Sequence, residues 1–287
     1  MSFLIPFEYE FFRNGFIAAV VIGALCGFIG VYVVLRRMSY IGHGLSHAIF
    51  GGAVLSYVWN VNFFIGGGLW ALLSGVLIHW ISHRRWVGAD AAIGVVTTSS
   101  FALGVAIIST HRSFTRNIEA ALFGNILGIT ERDVWVVVLV SLLVAGALFL
   151  IRRPLLFATF DPEVAAAYGV STGKIDLFFI LLLAATVLAS TQILGVTLVA
   201  AAMVIPPVIA RYMTQRFQTL LIVSPLIGAV CGAAGMILSF SFDISSAATI
   251  VLTSAALFGL LELTLIARGT KSTAIRHQNK TALLDRS

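Results

Sequence analysis

The sequence predicts an all-α polytopic membrane protein of about nine transmembrane helices, with a short external re-entrant helix and a short cytoplasmic coupling helix. Three observations carry that expectation. The 287 residues are 59% hydrophobic and 10% charged, with a mean hydropathy of +1.02, whereas a soluble chain carries about 25% charged residues. Apolar runs of about 20 residues, enough to cross a ~30 Å hydrocarbon layer, recur until a polar tail begins near Arg268. Basic residues punctuate those runs instead of gathering on one of them. Water is not the solvent for most of such a surface.

The runs fall at 15–35, 41–60, 62–81, 89–110, 132–151, 174–190, 193–212, 219–240 and 243–267. His43 and His47 interrupt the second, and only Gln192 and Gly195 part the sixth from the seventh. Lys and Arg near span ends favour the cytoplasm. With the amino terminus outside, nine crossings leave Arg13, Arg112, Arg116 and Arg132 outside and place the other fourteen of the 18 basic residues inside. The expected address is therefore a bacterial inner membrane, with the carboxyl terminus cytoplasmic. Residues 1–268 read as one transmembrane domain and 269–287 as a disordered cytoplasmic tail. Glu8 and Glu10 stand where a signal peptide needs basic residues, and the first apolar run is too long for one. The first helix is expected to stay.

The pI near 9.7 does not indicate nucleic acid, because the cations form no stripe with interleaved aromatics. Cys26 and Cys231 are isolated in apolar runs without a CxxC pair, so they read as small packing residues. Gly23-xxx-Gly27 and Gly228-xxx-Gly232 are expected to let helices approach closely within the subunit.

Two connections exceed mere turns. In the external one, residues 118–128 are apolar but too short to span, which suggests a re-entrant half-helix. In the internal one, Asp161 can cap a helix beginning with Pro162, Glu163 suits its positive end, and Gly169 can stop it. A bounded cytoplasmic helix is expected over 161–168.

Ionisable groups at membrane depth are costly and face a cavity or the bundle interior. His43 and His47 are four residues apart, so their imidazoles share one helical face. Neutral imidazole binds zinc, copper and nickel, and an ion in transit needs incomplete coordination in order to leave. A pair of buried histidines bonded to neighbouring helices is the equally weighted structural alternative. His79 and His83 have the same spacing but lie where the third span meets Arg84 and Arg85, which suits a helix carboxyl end. His111 and Glu119 fall in the external connection and read as solvated. Asp243 lies at the outer edge of the last span, where it can cap that helix or join the ion path.

Gly169 to Lys174 resembles a phosphate loop superficially, yet one residue is missing between the glycines and Ile175 replaces the magnesium-holding hydroxyl. Hydrolysis therefore belongs to a partner, and the chain is not itself an enzyme.

Arg36-Arg37-Met38-Ser39-Tyr40-Ile41-Gly42 leading to Leu45-Ser46-His47-Ala48, then 89–96, 122–128, Phe160-Asp161-Pro162-Glu163 and Leu194-Gly195-Val196 through Ile205-Pro206-Pro207 follow one another in a familiar order. In these segments the chain resembles the permeases of ABC-type zinc and manganese importers, the ABC-3 family, over nearly its whole length. The resemblance implies a homodimer, a cytoplasmic ATP-binding subunit that receives the short helix, and an extracytoplasmic metal-binding protein. No cofactor is bound permanently; the cargo is Zn2+ or Mn2+. It also implies that His43 and His47 meet the metal, with Asp243 a weaker candidate. Asp161, Glu163, Val164, Ala165 and Tyr168 carry the coupling role. The family usually has an acid where this chain has His43, and Ser245, Ser246 and Ala247 replace its Pro-Ser-Gly after the aspartate. Exchanging carboxylate for imidazole disfavours manganese relative to zinc, so zinc is the first expectation. A secondary transporter or channel would show paired broken helices in two halves, and only one candidate half-helix is visible. A metalloprotease would need HExxH, but Gly44, Leu45 and Ser46 stand between the histidines.

Overall fold

Apolar residues at nearly every position leave the backbone no solvent to bond with, so each run closes its hydrogen bonds on itself as a helix. The computed structural model describes residues 5–82, 88–110 and 122–267. Its helices are α1 (Glu10–Leu35), α2 (Ser39–Val58), α3 (Phe63–Ser82), α4 (Ala89–Thr110), α5 (Glu131–Phe160), α6 (Pro162–Ala167), α7 (Thr172–Met213), α8 (Phe217–Phe242) and α9 (Ser246–Ala267). No strand occurs among the described residues. Expectations about His83, His111, Glu119 and the 269–287 tail fall outside them.

Seven of these helices are long and apolar enough to cross a membrane: α1, α3, α4, α5, α7, α8 and α9. The nine expected spans differ from this number in two places. Helix α2 has 20 residues, but its histidines, serines and glycines dilute the apolar signal. Helix α7 contains both the sixth and seventh expected spans in 42 residues, about 63 Å of helix at 1.5 Å per residue. It is not straight. Gly195 has non-helical angles of φ 72° and ψ 165°, open to a residue without Cβ. Before it, Asp176 reaches Arg36 and Ile180 lies beside Gly75. After it, Met203 meets Gly30 and Ala210 packs with Val31. Both ends of α7 thus lie near the carboxyl end of α1, and the helix doubles back at Gly195.

Helix α1 forms the centre of the packing. A Cβ on Gly23 would stand 2.2 Å from the Gly228 oxygen, and one on Gly228 would stand 2.0 Å from the Gly23 oxygen. The α1 and α8 backbones therefore touch through the expected small residues. They run antiparallel, since Gly27 meets Ser224 while Gly232 meets Ala19. Cys26 and Cys231 are buried, as packing residues should be, and Cys26 shares a hydrogen bond with Ser190 at 3.4 Å.

Residues 122–128 pack against the α7 bend. Asn125 N–H donates to Gln192 O at 3.0 Å, and Thr197 Oγ1 donates to Leu122 O at 3.0 Å. Only the last part of the expected 118–128 helix is described: Leu122 and Phe123 are helical and Ile126–Gly128 form a 3-10 turn. Helix α5 starts from Thr130, whose Oγ1 accepts from the Asp133 N–H at 3.3 Å while Asp133 accepts from Thr130 N–H at 3.0 Å. It continues past Pro154 to Phe160, nine residues beyond the expected span end at 151.

The bounded helix is present as α6, starting and stopping where its residues dictate. Asp161 Oδ1 accepts from Val164 N–H at 3.0 Å, Pro162 occupies the first turn, and Gly169 takes φ 80°. One residue must be corrected. Ala165 is fully buried within the chain, so it anchors α6 and offers no surface to a partner. Val164 and Tyr168 are exposed, Tyr168 to 79%, and Asp161 and Glu163 are exposed too.

Candidate metal path

Helix α2 begins at Ser39, and His43 and His47 stand one and two turns further on. Their rings meet edge to face, with centroids 4.5 Å apart and planes at 89°. The two Nε2 atoms are 3.1 Å apart, one donating to the other according to tautomer. Two imidazole nitrogens each about 2.0–2.1 Å from one zinc stand about 2.9 Å apart at a right angle and about 3.4 Å apart at a tetrahedral angle. The Nε2 separation lies within that range, and a cation would take the place of the shared proton once the rings turn so that both lone pairs face it.

Phe101 packs edge-on against His47, with centroids 5.2 Å apart at 79°, and Phe101 in turn meets Phe50 at 4.9 Å. Ser46 Oγ donates to the His43 carbonyl at 2.8 Å, which satisfies the hydroxyl within the helix. His47 Nδ1 is buried with no hydrogen-bond partner among the described residues. Resident metal ligands almost always fix the second ring nitrogen with a carbonyl or carboxylate. A ligand lacking that support suits brief contact. No group of three or more His, Cys, Asp or Glu side chains gathers among the described residues, so among them this candidate site consists of two imidazoles.

Asp243 lies elsewhere. Its expected place as cap of the last helix is corrected by its geometry: it ends α8, with left-handed angles of φ 54° and ψ 46°, while α9 starts at Ser246. It lines a cavity of about 510 Å³ with Phe11, Asn125, Ser239 and Ser246. Phe11 belongs to the amino-terminal end of α1, whereas α2 and its histidines follow the carboxyl-terminal end. The cavity that Asp243 lines includes neither histidine, and His47 stands one turn from Phe50, which packs with Val196 beside the α7 bend. His79 lies in the last turn of α3, as its helix-end reading expects.

A profile of the ABC 3 transport family matches residues 8–264. This chain belongs to the ABC 3 transport family. It is 34% identical over 253 residues to the manganese transport system membrane protein MntC of Halalkalibacterium halodurans, covering 88% of this chain and 87% of that one. It is 33% identical to the manganese import system permease protein ScaB of Streptococcus gordonii, over 88% and 90% of the two chains. Among solved structures it resembles PsaBC from Streptococcus pneumoniae in complex with Fab, with a TM-score of 0.82 and 28% identity over 91% of this chain and 94% of that one. The family expected from the ordered segments is thus the family found. Both relatives are named for manganese, and the zinc preference expected from His43 has no counterpart in their names.

The Arg36–Asp176 ion pair and the packing of Phe101 on His47 escaped the sequence reading. Asp176 carried a usable signal, because an acid inside an apolar run requires a partner.

Proposed function

We propose that the chain is the membrane permease of an ATP-driven importer for a divalent transition metal ion, manganese or zinc, and that His43 and His47 touch the ion in transit. The observation that carries this reading is the convergence of two imidazole nitrogens, 3.1 Å apart, in a chain of the ABC 3 transport family. The relatives' names support manganese. The donor set, two imidazoles without a carboxylate, favours the softer ion and supports zinc as a competing cargo.

The working unit is a dimer of this permease, with an ATP-binding subunit on the face that bears α6 and a metal-binding protein on the other. Nine crossings support that arrangement: the seven long apolar helices, α2, and the second limb of α7, with the amino terminus outside and the carboxyl terminus cytoplasmic. Residues 122–128, packed on the α7 bend, form the inner part of an external re-entrant segment. Glu163, Val164 and Tyr168 face the ATP-binding subunit, and Asp161 holds the start of their helix.

Uptake of manganese(II) and zinc(II) into vesicles separates this from transport without an ATPase. With permease, ATP-binding subunit and binding protein together, uptake is expected to require ATP. Equal uptake by the permease alone, driven by an ion gradient, would contradict the proposal.

A further inference from the structure

Arg36 closes α1, and Asp176 stands in the first turns of α7. The guanidinium donates to the carboxylate, and the side chains are only 11% and 28% exposed, so removing one partner strands a poorly hydrated charge. The guanidinium also lies 5.1 Å from the Phe179 ring centre. Spare capacity surrounds the pair. Arg36 Nη1 and Tyr32 Oη are buried with no partner among the described residues, although buried polar groups are normally satisfied. An ion pair with an unused donor and hydroxyl beside it has alternatives when its two helices shift.

Each end of the pair is fastened to an element the transport reading uses. Helix α1 passes into α2 through a tight turn in which Arg37 N–H donates to Val34 O at 3.2 Å and Met38 N–H to Val33 O at 2.9 Å. Arg37 has φ 56°, left-handed backbone where glycine is usual. Ser39 follows, and His43 stands one turn further on. At the other end, Val170 N–H donates to Ala165 O at 2.9 Å, and α7 begins at Thr172 after only Tyr168, Gly169, Val170 and Ser171. Helix α6, Asp176, Arg36 and α2 thus form a path without a slack loop.

We propose that Arg36 and Asp176 are positioning residues that carry displacement of α6 to the start of α2, and so to His43 and His47. This rests on the reading of α6 as the helix that meets the ATP-binding subunit. A rigid-body shift of α6 pulls the amino-terminal turn of α7, and the ion pair passes the pull to the α1–α2 turn.

The test uses the complete complex in proteoliposomes, reading manganese(II) or zinc(II) taken up per ATP hydrolysed, together with recovery of the ATP-binding subunit on the purified permease. Asp176→Asn alone leaves Arg36 unpaired and risks misfolding, so the deciding variant is Arg36→Gln with Asp176→Asn, which removes both charges. It is expected to recover the ATP-binding subunit at wild-type yield and to keep basal hydrolysis. Metal per ATP should fall roughly tenfold, within the usual range of coupling between sites. Arg36→Lys should retain most of the ratio, and the exchange Arg36→Asp with Asp176→Arg should restore part of it. A wild-type ratio in the neutral variant, or loss of the ATP-binding subunit from it, overturns the link. Ala166→Pro in α6, run in parallel, separates the two claims: if it leaves recovery and hydrolysis unchanged, the reading of α6 fails. If it uncouples transport while the neutral pair does not, only the link fails.

Discussion

At the proposed ion contact, His43 and His47 combine a fixed spacing with a His47 Nδ1 that has no partner among the described residues. The four-residue step puts both imidazoles on one face, and the 3.1 Å between their Nε2 atoms makes that face bidentate. The unpartnered His47 Nδ1 withholds the support that a permanent ligand receives. His43→Ala or His47→Ala is each expected to lower metal uptake by about tenfold, roughly the 1.4 kcal/mol that a lost ligand contact in the binding step can cost, with the ATP-binding subunit still recovered. His43→Asp supplies a hard oxygen and a negative charge, so competition uptake should show the zinc-to-manganese ratio falling. An unchanged ratio would mean that selectivity is set away from this residue. The pair itself was legible in the sequence because spacing alone fixes a helical face. Phe101 was not, since an aromatic in an apolar run gives no sign of which neighbour it will meet.

At the scale of elements, local chemistry was the reliable guide. Asp161, Pro162 and Gly169 marked the start and stop of α6 correctly, because caps and left-handed stops depend on residues within a few positions. Ala165 was misjudged because a helix that short lies flat on its neighbours, and which side faces inward depends on packing from outside it. The Gly195 bend was visible only as a weak gap between two runs, since helix geometry is broken there by a single residue. Ala166→Pro should break α6 at a cost of about 3 kcal/mol and abolish transport-stimulated ATP hydrolysis, measured beside metal binding by the detergent-solubilised permease, which should persist. The α1–α8 contact is open to a stability test. Gly23→Val drives a Cβ toward an oxygen 2.2 Å away and should cost at least the 1–3 kcal/mol of ordinary overpacking, about that range or more. Gly146→Ala meets nothing within 4 Å and should stabilise α5 by up to about 1 kcal/mol. Thermal unfolding midpoints in detergent would then move in opposite directions, and a Gly23 variant as stable as the parent would show that α1 and α8 do not need to touch.

Across the whole molecule, the histidine pair lies in the second and third turns of α2, Asp243 ends α8, and α6 is close in sequence to Asp176, the partner of Arg36. Composition made the membrane class and the helical fold readable, because hydrocarbon demands both of every residue it touches. The Arg36–Asp176 pair joins residues far apart in the chain; Asp176 in an apolar run announces the need for a partner, but no local pattern names Arg36. The central claim is that an ATP-driven metal ion passes between His43 and His47. It is tested most directly by the double variant His43→Ala with His47→Ala in proteoliposomes containing the complete complex, at matched permease content, with manganese(II) and zinc(II) uptake and ATP hydrolysis followed together. The account predicts uptake near background for both metals, with the ATP-binding subunit still bound and hydrolysing ATP. Uptake of either metal at the wild-type rate would contradict it.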